Sequence, residues 1–238
     1  MTAKPEVEEA ITSLRANNFK VEYFEKASDA GKAILEMIPV EASIEMAGSV
    51  SVSQLGLTDQ LRKRGNKGLD FPKPGESFFE EMRKGRKDVL LVSTNALTMD
   101  GKLVNIDGMG NRVAGMFFGV NKVILLVGAN KIVRNLDEAL ERVQKTIAPY
   151  HAKYIGVNTP CAATGECSDC HSPQRICNIT TIISKKPPLV DLVIVLVGED
   201  LGLGWDPEWP EERIEKITSA YRAEMEKFRA ALPPPPRN

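Results

Sequence analysis

The sequence has no cysteine outside one short stretch, no excess of basic residues, and no apolar run long enough to cross a bilayer. Lysine and arginine number 31 against 32 aspartates and glutamates, so the net charge is −1. This balance argues against nucleic acid and anionic membranes as partners, because both require a basic surface. Long apolar runs such as residues 189–197, which Asp191 interrupts, are too short for a membrane span. We therefore expect no membrane insertion.

Export signals and common catalytic motifs are absent as well. Residues 1–15 form a charged, helix-like segment and do not resemble an export signal, which predicts a cytoplasmic protein. The sequence contains no Ser-His-Asp, zinc-hydrolase or nucleotide P-loop pattern, and it contains no internal repeat. Thiols are kept reduced in the cytoplasm, so clustered cysteines there indicate metal or redox ligands before disulfides.

The length of 238 residues and a hydrophobic fraction of 42% predict an ordinary globular α/β protein. Residues 89–93 and 123–127 are continuous apolar runs bounded by polar residues, which is typical of central strands buried on both faces. Strands that alternate with helices predict a mostly parallel sheet. We assign residues 1–232 to one domain with a metal-binding loop inserted at 159–180, and residues 233–238 to a proline-rich tail.

Periodicity predicts the remaining elements. Val7, Ala10, Ile11 and Leu14 lie on one face of a first helix. A second helix is predicted over 28–37, with Ser28 as its N-cap, and a third over 53–64. A short helix is predicted around Phe78, Phe79 and Met82. Two further helices are predicted, one from Asn135 to Pro149 and a last one that begins near Pro210. The other predicted strands cover 20–24, part of 42–52, 178–184 and 190–197, and residues 65–75 form a loop.

All four cysteines lie close together with the spacing C-x5-C-x2-C-x6-C: Cys161, Cys167, Cys170 and Cys177. Four thiolates are a complete ligand set for a tetrahedral zinc ion or for a four-cysteine iron–sulfur cluster. Their neighbours are Pro, Gly, Ser, Asp, Gln and Arg, whereas inert buried thiols usually lie in an apolar pattern. One metal centre is therefore the prediction, and disulfides or inert thiols are the weaker alternatives.

The identity of the metal stays open between iron–sulfur and zinc, because both accept four thiolates. The wide gaps favour a [4Fe–4S] cluster over the paired knuckles of structural zinc. His171 could replace a ligand, although a hydrogen bond to a ligand is the commoner role of such a histidine. His151 is predicted to lie on the surface. Because the cysteine segment is polar and rich in turns, we expect metal ligation to order it.

A glycine-rich segment at residues 98–112 follows the strand at 89–93. Its Asp-Gly and Gly-x-Gly-Asn turns can present several backbone N–H groups to an anion. Asp-Gly also marks ordinary hairpins, in which Leu103 and Val104 would lie on one strand. The residue types alone therefore leave a binding loop and a structural hairpin equally open.

This segment, the following Gly-Ala-Asn-Lys-Ile-Val at 128–133 and the Thr-Pro-Cys to Arg-Ile-Cys motif at 159–177 resemble the LUD-domain (lactate utilisation) family. The similarity extends from about residue 42 to residue 202, and the branch it resembles carries its own cysteines. The resemblance implies a three-layer NagB/RpiA/CoA-transferase-like fold with a site for sugar phosphates or CoA esters. The substrate-binding residues that it implies are Asp100, Gly101, Asn105, Asp107, Gly108, Gly110, Asn111, Arg112, Asn130 and Lys131.

The resemblance favours a redox component of lactate or 2-hydroxy-acid utilisation that works with redox protein partners. The chain lacks the tandem ferredoxin motifs of the family's iron–sulfur partner, so the resemblance does not imply that it oxidises lactate alone. One alternative is an isomerase, transferase or lyase that acts on an anionic sugar phosphate or CoA ester and has a structural metal. Another is a binding module that senses an anionic metabolite. The sequence identifies neither a catalytic residue nor an oligomeric state.

Overall fold

A computed structural model describes residues 3–68 and 87–231 of the chain. The strands are β1 (Lys20–Phe24), β2 (Ile44–Glu45), β3 (Val89–Val92), β4 (Ala96–Thr98), β5 (Leu103–Asp107), β6 (Lys122–Gly128), β7 (Ile132–Val133), β8 (Ile179–Ile183) and β9 (Asp191–Val197). The helices are α1 (Pro5–Ala16), α2 (Ala27–Met37), α3 (Val50–Ser53), α4 (Leu57–Arg64), α5 (Asn111–Phe117), α6 (Leu136–Glu141), α7 (Ala148–Ile155), α8 (Pro160–Thr164) and α9 (Glu211–Ala231). A 3₁₀ turn covers Ala129–Lys131, and a π-helical turn covers Arg142–Ile147.

The main sheet has five parallel strands in the order β1-β9-β6-β3-β2. The two longest strands, β6 and β9, pair from Lys122 opposite Asp191 to Gly128 opposite Val197. Both are buried along almost their whole length, as the continuous apolar runs indicate. The predicted α/β fold with a mostly parallel sheet is confirmed.

A second sheet of four short strands, in the order β7-β4-β5-β8, was not predicted. Strands β4 and β5 form an antiparallel hairpin, and β8 extends it by pairing with β5. The hairpin turn needs glycine at position 101, where φ is +80° and a Cβ atom would lie 2.8 Å from the Ser13 carbonyl carbon of α1. The first half of the glycine-rich segment is therefore a structural hairpin.

Three layers of apolar contact hold these elements together. Helices α2, α3 and α4 cover one face of the main sheet. Helix α1 and one face of the second sheet cover the other face, and Val7, Ala10, Ile11 and Leu14 are buried there as predicted. The far face of the second sheet packs against α6, the π-helical turn, α7 and α9. The second sheet thus lies between the main sheet and the helical segments α6, α7 and α9.

Two predicted helices begin or end elsewhere. Helix α2 begins at Ala27 after Lys26, so the prediction of Ser28 as its N-cap is wrong. The predicted helix over 53–64 is divided because Gly56 adopts φ +61°, a left-handed conformation that ends α3 and precedes α4. Within 42–52, β2 covers only Ile44–Glu45, and α3 begins at Val50.

The prediction that a helix ends at Pro149 is wrong, since the chain continues through a π-helical turn into α7. The π-helical turn changes the backbone hydrogen-bonding register just before the proline. Pro149 therefore occupies the first turn of α7, where its missing N–H costs little. This continuation leaves His151 partly buried.

Several predictions concern residues outside the described ranges. These are the short helix around Phe78, Phe79 and Met82, the loop beyond residue 68, and the proline-rich tail at 233–238. Within 3–68 and 87–231, no helix is both long and apolar enough to cross a membrane.

Candidate functional site

A cavity of about 1300 Å³ opens where β2, β3, β6 and β9 reach their carboxyl ends. The chain that follows each of these strands contributes to its wall, for example at Ser51, Ser93, Lys131 and Gly202. Helices α7 and α9 and part of the cysteine segment complete the lining. In open α/β sheets, this edge is the usual place for a ligand.

The ammonium group of Lys131 lies in the wall of the cavity and is almost fully buried. Its Nζ atom donates to Ser93 Oγ at 2.7 Å, to the Thr94 carbonyl at 2.9 Å and to Ser51 Oγ at 3.0 Å. Burial, together with the positive charge of Arg112, lowers the pKa of Lys131 to about 7. Lys131 therefore changes its charge near neutral pH, which an ordinary lysine does not do.

Arg112 also lies in the cavity wall, but the protein itself satisfies its guanidinium group. All five N–H donors have acceptors, which are Asp107 Oδ2 at 3.1 Å, Asn105 Oδ1 at 2.8 Å, Ser93 O at 3.2 Å, Asn95 Oδ1 at 3.2 Å and Ile106 O at 2.7 Å. Burial lowers the pKa of Arg112, whereas the carboxylate of Asp107 acts in the opposite direction. Arg112 therefore holds the site together and does not present a free donor to a ligand.

In the turn at 107–110, a side chain of the protein itself accepts hydrogen bonds from the backbone N–H groups that were predicted to bind an anion. Asp107 Oδ1 accepts from the backbone nitrogens of Gly110 at 2.7 Å and Met109 at 3.1 Å. The carboxylate of Asp107 thus occupies the place that an external anion would take in such a turn. The Gly108 carbonyl accepts from Asn178 Nδ2 at 3.0 Å, which fastens the cysteine segment to this turn.

The structure brings only half of the ten implied substrate-binding residues to the cavity. Those that line it are Asp107, Gly108, Asn111, Arg112 and Lys131. Asp100 and Gly101 form the β4–β5 turn, where Asn17 Nδ2 donates to both carbonyls. Asn130 is fully buried and joins the 201–204 loop to β6 through Leu201 N and Gly204 O, each at 2.9 Å.

The polar side chains of the cavity that were not identified from the sequence include Ser51, Ser93, His151 and Tyr221. His151 Nδ1 and the Tyr221 hydroxyl share a hydrogen bond. Burial lowers the pKa of His151 to about 4, so its imidazole is neutral at physiological pH. The prediction that His151 lies on the surface is wrong. Its position four residues after Ile147 on the apolar helix face could have indicated this, had the helix been continued through Pro149.

The cysteine segment forms one side of the cavity through Pro173, Gln174, Arg175, Ile176 and Asn178. Arg175 fixes the fold of this segment, because its Nη1 atom donates to the Cys170 carbonyl at 2.7 Å and its Nε atom to the Cys177 carbonyl at 3.3 Å. Arg175 also forms an ion pair with Asp169 at 2.9 Å. The segment that carries the thiols therefore borders the same cavity as Lys131.

The four cysteines are free thiols and are all partly exposed. Burial raises the pKa of Cys177, and the neighbouring Arg175 acts in the opposite direction. The donor set suits a metal that prefers thiolates. In the described ranges, which include the whole cysteine segment, no three Cys, His, Asp or Glu side chains are arranged to hold one metal ion. Metal ligation by these cysteines remains a prediction.

Gly202 packs against the Lys131 cluster, which consists of Lys131 and the two serines that Lys131 contacts, Ser51 and Ser93. Replacement of Gly202 should therefore disturb this cluster. Its φ of +66° is unfavourable for other residues, and an added Cβ would overlap Ser51 Oγ and lie 3.2 Å from Lys131 Nζ. We expect Gly202→Ala to lower the free energy of unfolding by about 1–3 kcal/mol, measured by urea denaturation. Gly165→Ala is the matched control, because Gly165 has φ +80° but no atom within 4 Å of an added Cβ. Equal losses in the two variants would show that the Lys131 cluster tolerates the methyl group.

The fold and the cavity define an α/β protein with a candidate ligand site at the carboxyl ends of a parallel sheet. A family model described as the LUD domain matches residues 7–197. The chain belongs to the LUD-domain family, which is associated with lactate utilisation. A crystal structure of a DUF162 family protein from Deinococcus radiodurans aligns with 14% sequence identity and a TM-score of 0.47, covering 83% of this chain and 99% of that chain. No curated protein matches the chain.

Proposed function

We propose that this protein is a component of lactate or 2-hydroxy-acid oxidation that binds the acid in the cavity and carries a [4Fe–4S] cluster on its four cysteines. One observation carries this proposal: the cysteine segment and Lys131 border the same cavity. A cluster on these cysteines would therefore lie behind the cavity wall that Pro173, Gln174, Arg175 and Ile176 form. Membership of a family associated with lactate utilisation agrees with this assignment.

The side chains of the chain itself bind and shield the acid in this proposal. Apolar side chains of α7 and α9, such as Ile155 and Met225, line one part of the cavity, and the strand ends form a polar part, where Lys131 supplies positive charge. The apolar part limits the access of water to the bound acid, and low polarity strengthens the attraction between Lys131 and a carboxylate. The polar part fixes the orientation of the acid.

A redox partner is part of the proposal because of the electron count. Oxidation of a 2-hydroxy acid to a 2-oxo acid releases two electrons and two protons, whereas a [4Fe–4S] cluster, when bound, supplies one-electron transfer. A second redox protein that takes up two electrons, such as a flavoprotein, must therefore complete the reaction. Cys161, Cys167, Cys170 and Cys177 would hold the cluster.

Anaerobic reconstitution tests this proposal. After incubation with iron and sulfide, we expect broad visible absorption that dithionite bleaches, with about four iron and four sulfide per chain. Cys170→Ser should lose this absorption, whereas Ser168→Ala, in the same exposed turn, should keep it. Binding of one zinc per chain together with refusal of iron would contradict the electron-transfer role and would leave the metal as structural.

A second candidate function is acid–base catalysis on an anionic sugar phosphate or CoA ester. The observation that favours it is Lys131, since a pKa of about 7 suits a group that both accepts and donates a proton at neutral pH. In that case the protein would convert such a substrate without any redox partner. Turnover of a sugar phosphate or CoA ester by the zinc form of the protein would replace the first proposal by this one.

A further inference from the structure

The two serine hydroxyls that contact Lys131 have hydrogen atoms to offer to the cavity. When Lys131 is protonated, its three hydrogens go to Ser51 Oγ, Ser93 Oγ and the Thr94 carbonyl. Both serine oxygens then act as acceptors, so their own hydrogens point away from Lys131. Ser51 is 2% exposed and has no other partner in the described part of the chain, and the one other contact of Ser93 is a long one, 3.3 Å to the Thr94 carbonyl.

A third hydroxyl in the same wall is also unsatisfied. Ser49 Oγ is buried, lines the cavity, and has no hydrogen-bond partner among the described residues. Buried polar groups are nearly always hydrogen-bonded, so the Ser49 hydroxyl lacks an acceptor.

The charge balance at this end of the cavity fits a monoanion. Arg112 is paired with Asp107 at 3.1 Å, so these two charges cancel. Lys131 has no carboxylate partner within hydrogen-bonding distance, because its three contacts are two hydroxyls and a carbonyl. One uncompensated positive charge matches a carboxylate better than a phosphate dianion, which would bring a second negative charge into a buried site.

We propose that Ser51, Ser93 and protonated Lys131 form the subsite for the carboxylate of a short 2-hydroxy or 2-oxo acid. The two hydroxyls donate to the carboxylate oxygens, and Lys131 supplies the charge from behind them. This subsite rests on the proposed function, because it names how that function's substrate is held. It places the acid at the ends of β3 and β6, with the rest of the cavity free for a partner group.

Binding at this subsite should be linked to the proton on Lys131. A carboxylate stabilises the ammonium form, so it binds the protonated protein and raises the pKa of Lys131 above its value of about 7. Affinity is then full below that pH and falls as the pH rises above it, by up to about tenfold per pH unit. His151, with a pKa of about 4, stays neutral over this range, and Arg112 stays charged beside Asp107.

Calorimetric titration with L-lactate and pyruvate tests the subsite, with lactamide as the uncharged analogue of lactate. We expect both acids to bind and lactamide to bind weakly. The affinity for the two acids should decline above about pH 7. Ser51→Ala and Ser93→Ala should each weaken binding about 10- to 100-fold, since each removes a charge-assisted hydrogen bond. Ser53→Ala is the matched control, because Ser53 also lines the cavity but donates to Glu224 Oε2 at 2.5 Å instead. It should bind as the unaltered protein does.

The outcomes separate the subsite from the proposed function. Binding of lactate that is independent of pH, or unchanged in Ser51→Ala and Ser93→Ala, would overturn the subsite and leave the cluster-bearing role in place. Tighter binding of inorganic phosphate than of lactate would also overturn it and would favour the acid–base alternative. If neither acid binds and no cluster forms, the proposed function itself fails.

Discussion

Replacement of Arg112 by alanine is expected to lower the free energy of unfolding by about 3–5 kcal/mol, the usual cost of removing one member of a buried ion pair. The side chain of Arg112 is 14% exposed and that of its partner Asp107 is 7% exposed. The substitution would leave the Asp107 carboxylate buried without its counter-ion. It would also remove a donor from four further acceptors, of which Asn95 Oδ1 and Asn105 Oδ1 keep a backbone donor.

Urea denaturation of Arg112→Ala beside Arg134→Ala measures this effect. Arg134 pairs with Glu138 at 3.0 Å, but its side chain is 79% exposed, so its loss should lower the free energy of unfolding much less than the loss of Arg112. Arg112→Lys should restore little stability, because an ammonium group cannot reach the acceptors that the planar guanidinium contacts. A loss at Arg112 no larger than that at Arg134 would mean that Arg112 is available to a ligand after all.

Arg112 shows why the sequence could suggest the position of the site but not the roles within it. A basic residue after a glycine-rich turn at a strand end predicts a positively charged anion site. Whether its charge reaches a ligand depends on what surrounds it, and Asp107 is both in the turn and paired with Arg112. The same carboxylate uses the turn's N–H groups. The guanidinium of Arg112 and the N–H groups of the turn therefore have hydrogen-bond partners within the protein, although the sequence pattern predicted that they bind an anion.

The fold was predictable where apolar runs are long. The strands at β3, β6 and β9 and the helix α1 follow directly from continuous runs or a clear 3.6-residue period. The second sheet was missed because β4 and β7 have only three and two residues and gain their order from neighbours distant in sequence. Patterns this short cannot distinguish a strand from a loop.

The serines of the candidate site carried no signal in the sequence. Ser51 and Ser93 are ordinary residue types without a motif, and the structure brings them to Lys131 from the segment after β2 and from the end of β3. Lys131 was identified through family resemblance, whereas its burial and its pKa depend on the three-dimensional packing around it. Only the parallel arrangement of the strands, which the sequence did predict, indicates that these strand ends meet.

On the proposal that the four cysteines ligate a metal, loss of one of them is expected to disorder the cysteine segment, because this segment has little apolar burial of its own. None of the residues from 160 to 182 is among the buried residues of the core. The segment is held by hydrogen bonds at its surface, such as those of Arg175 and the donation from Asn158 N to Gln174 Oε1 at 2.7 Å. Exposed hydrogen bonds add little net stability, whereas thiolate ligation of a metal can contribute on the order of 10 kcal/mol.

Limited proteolysis of the anaerobically purified protein measures this effect. Cys167→Ser should lose its metal and be cleaved within residues 159–180 at least about tenfold faster than the unaltered protein. Ser168→Ala should keep both its metal and its resistance, because it changes an exposed neighbour and no thiol. Chelation of the metal from the unaltered protein should reproduce the cleavage pattern of Cys167→Ser, since both remove the same constraint. Full metal occupancy with unchanged cleavage in Cys167→Ser would show that the hydrogen bonds of Arg175 suffice to order the segment and that Cys167 is not a ligand.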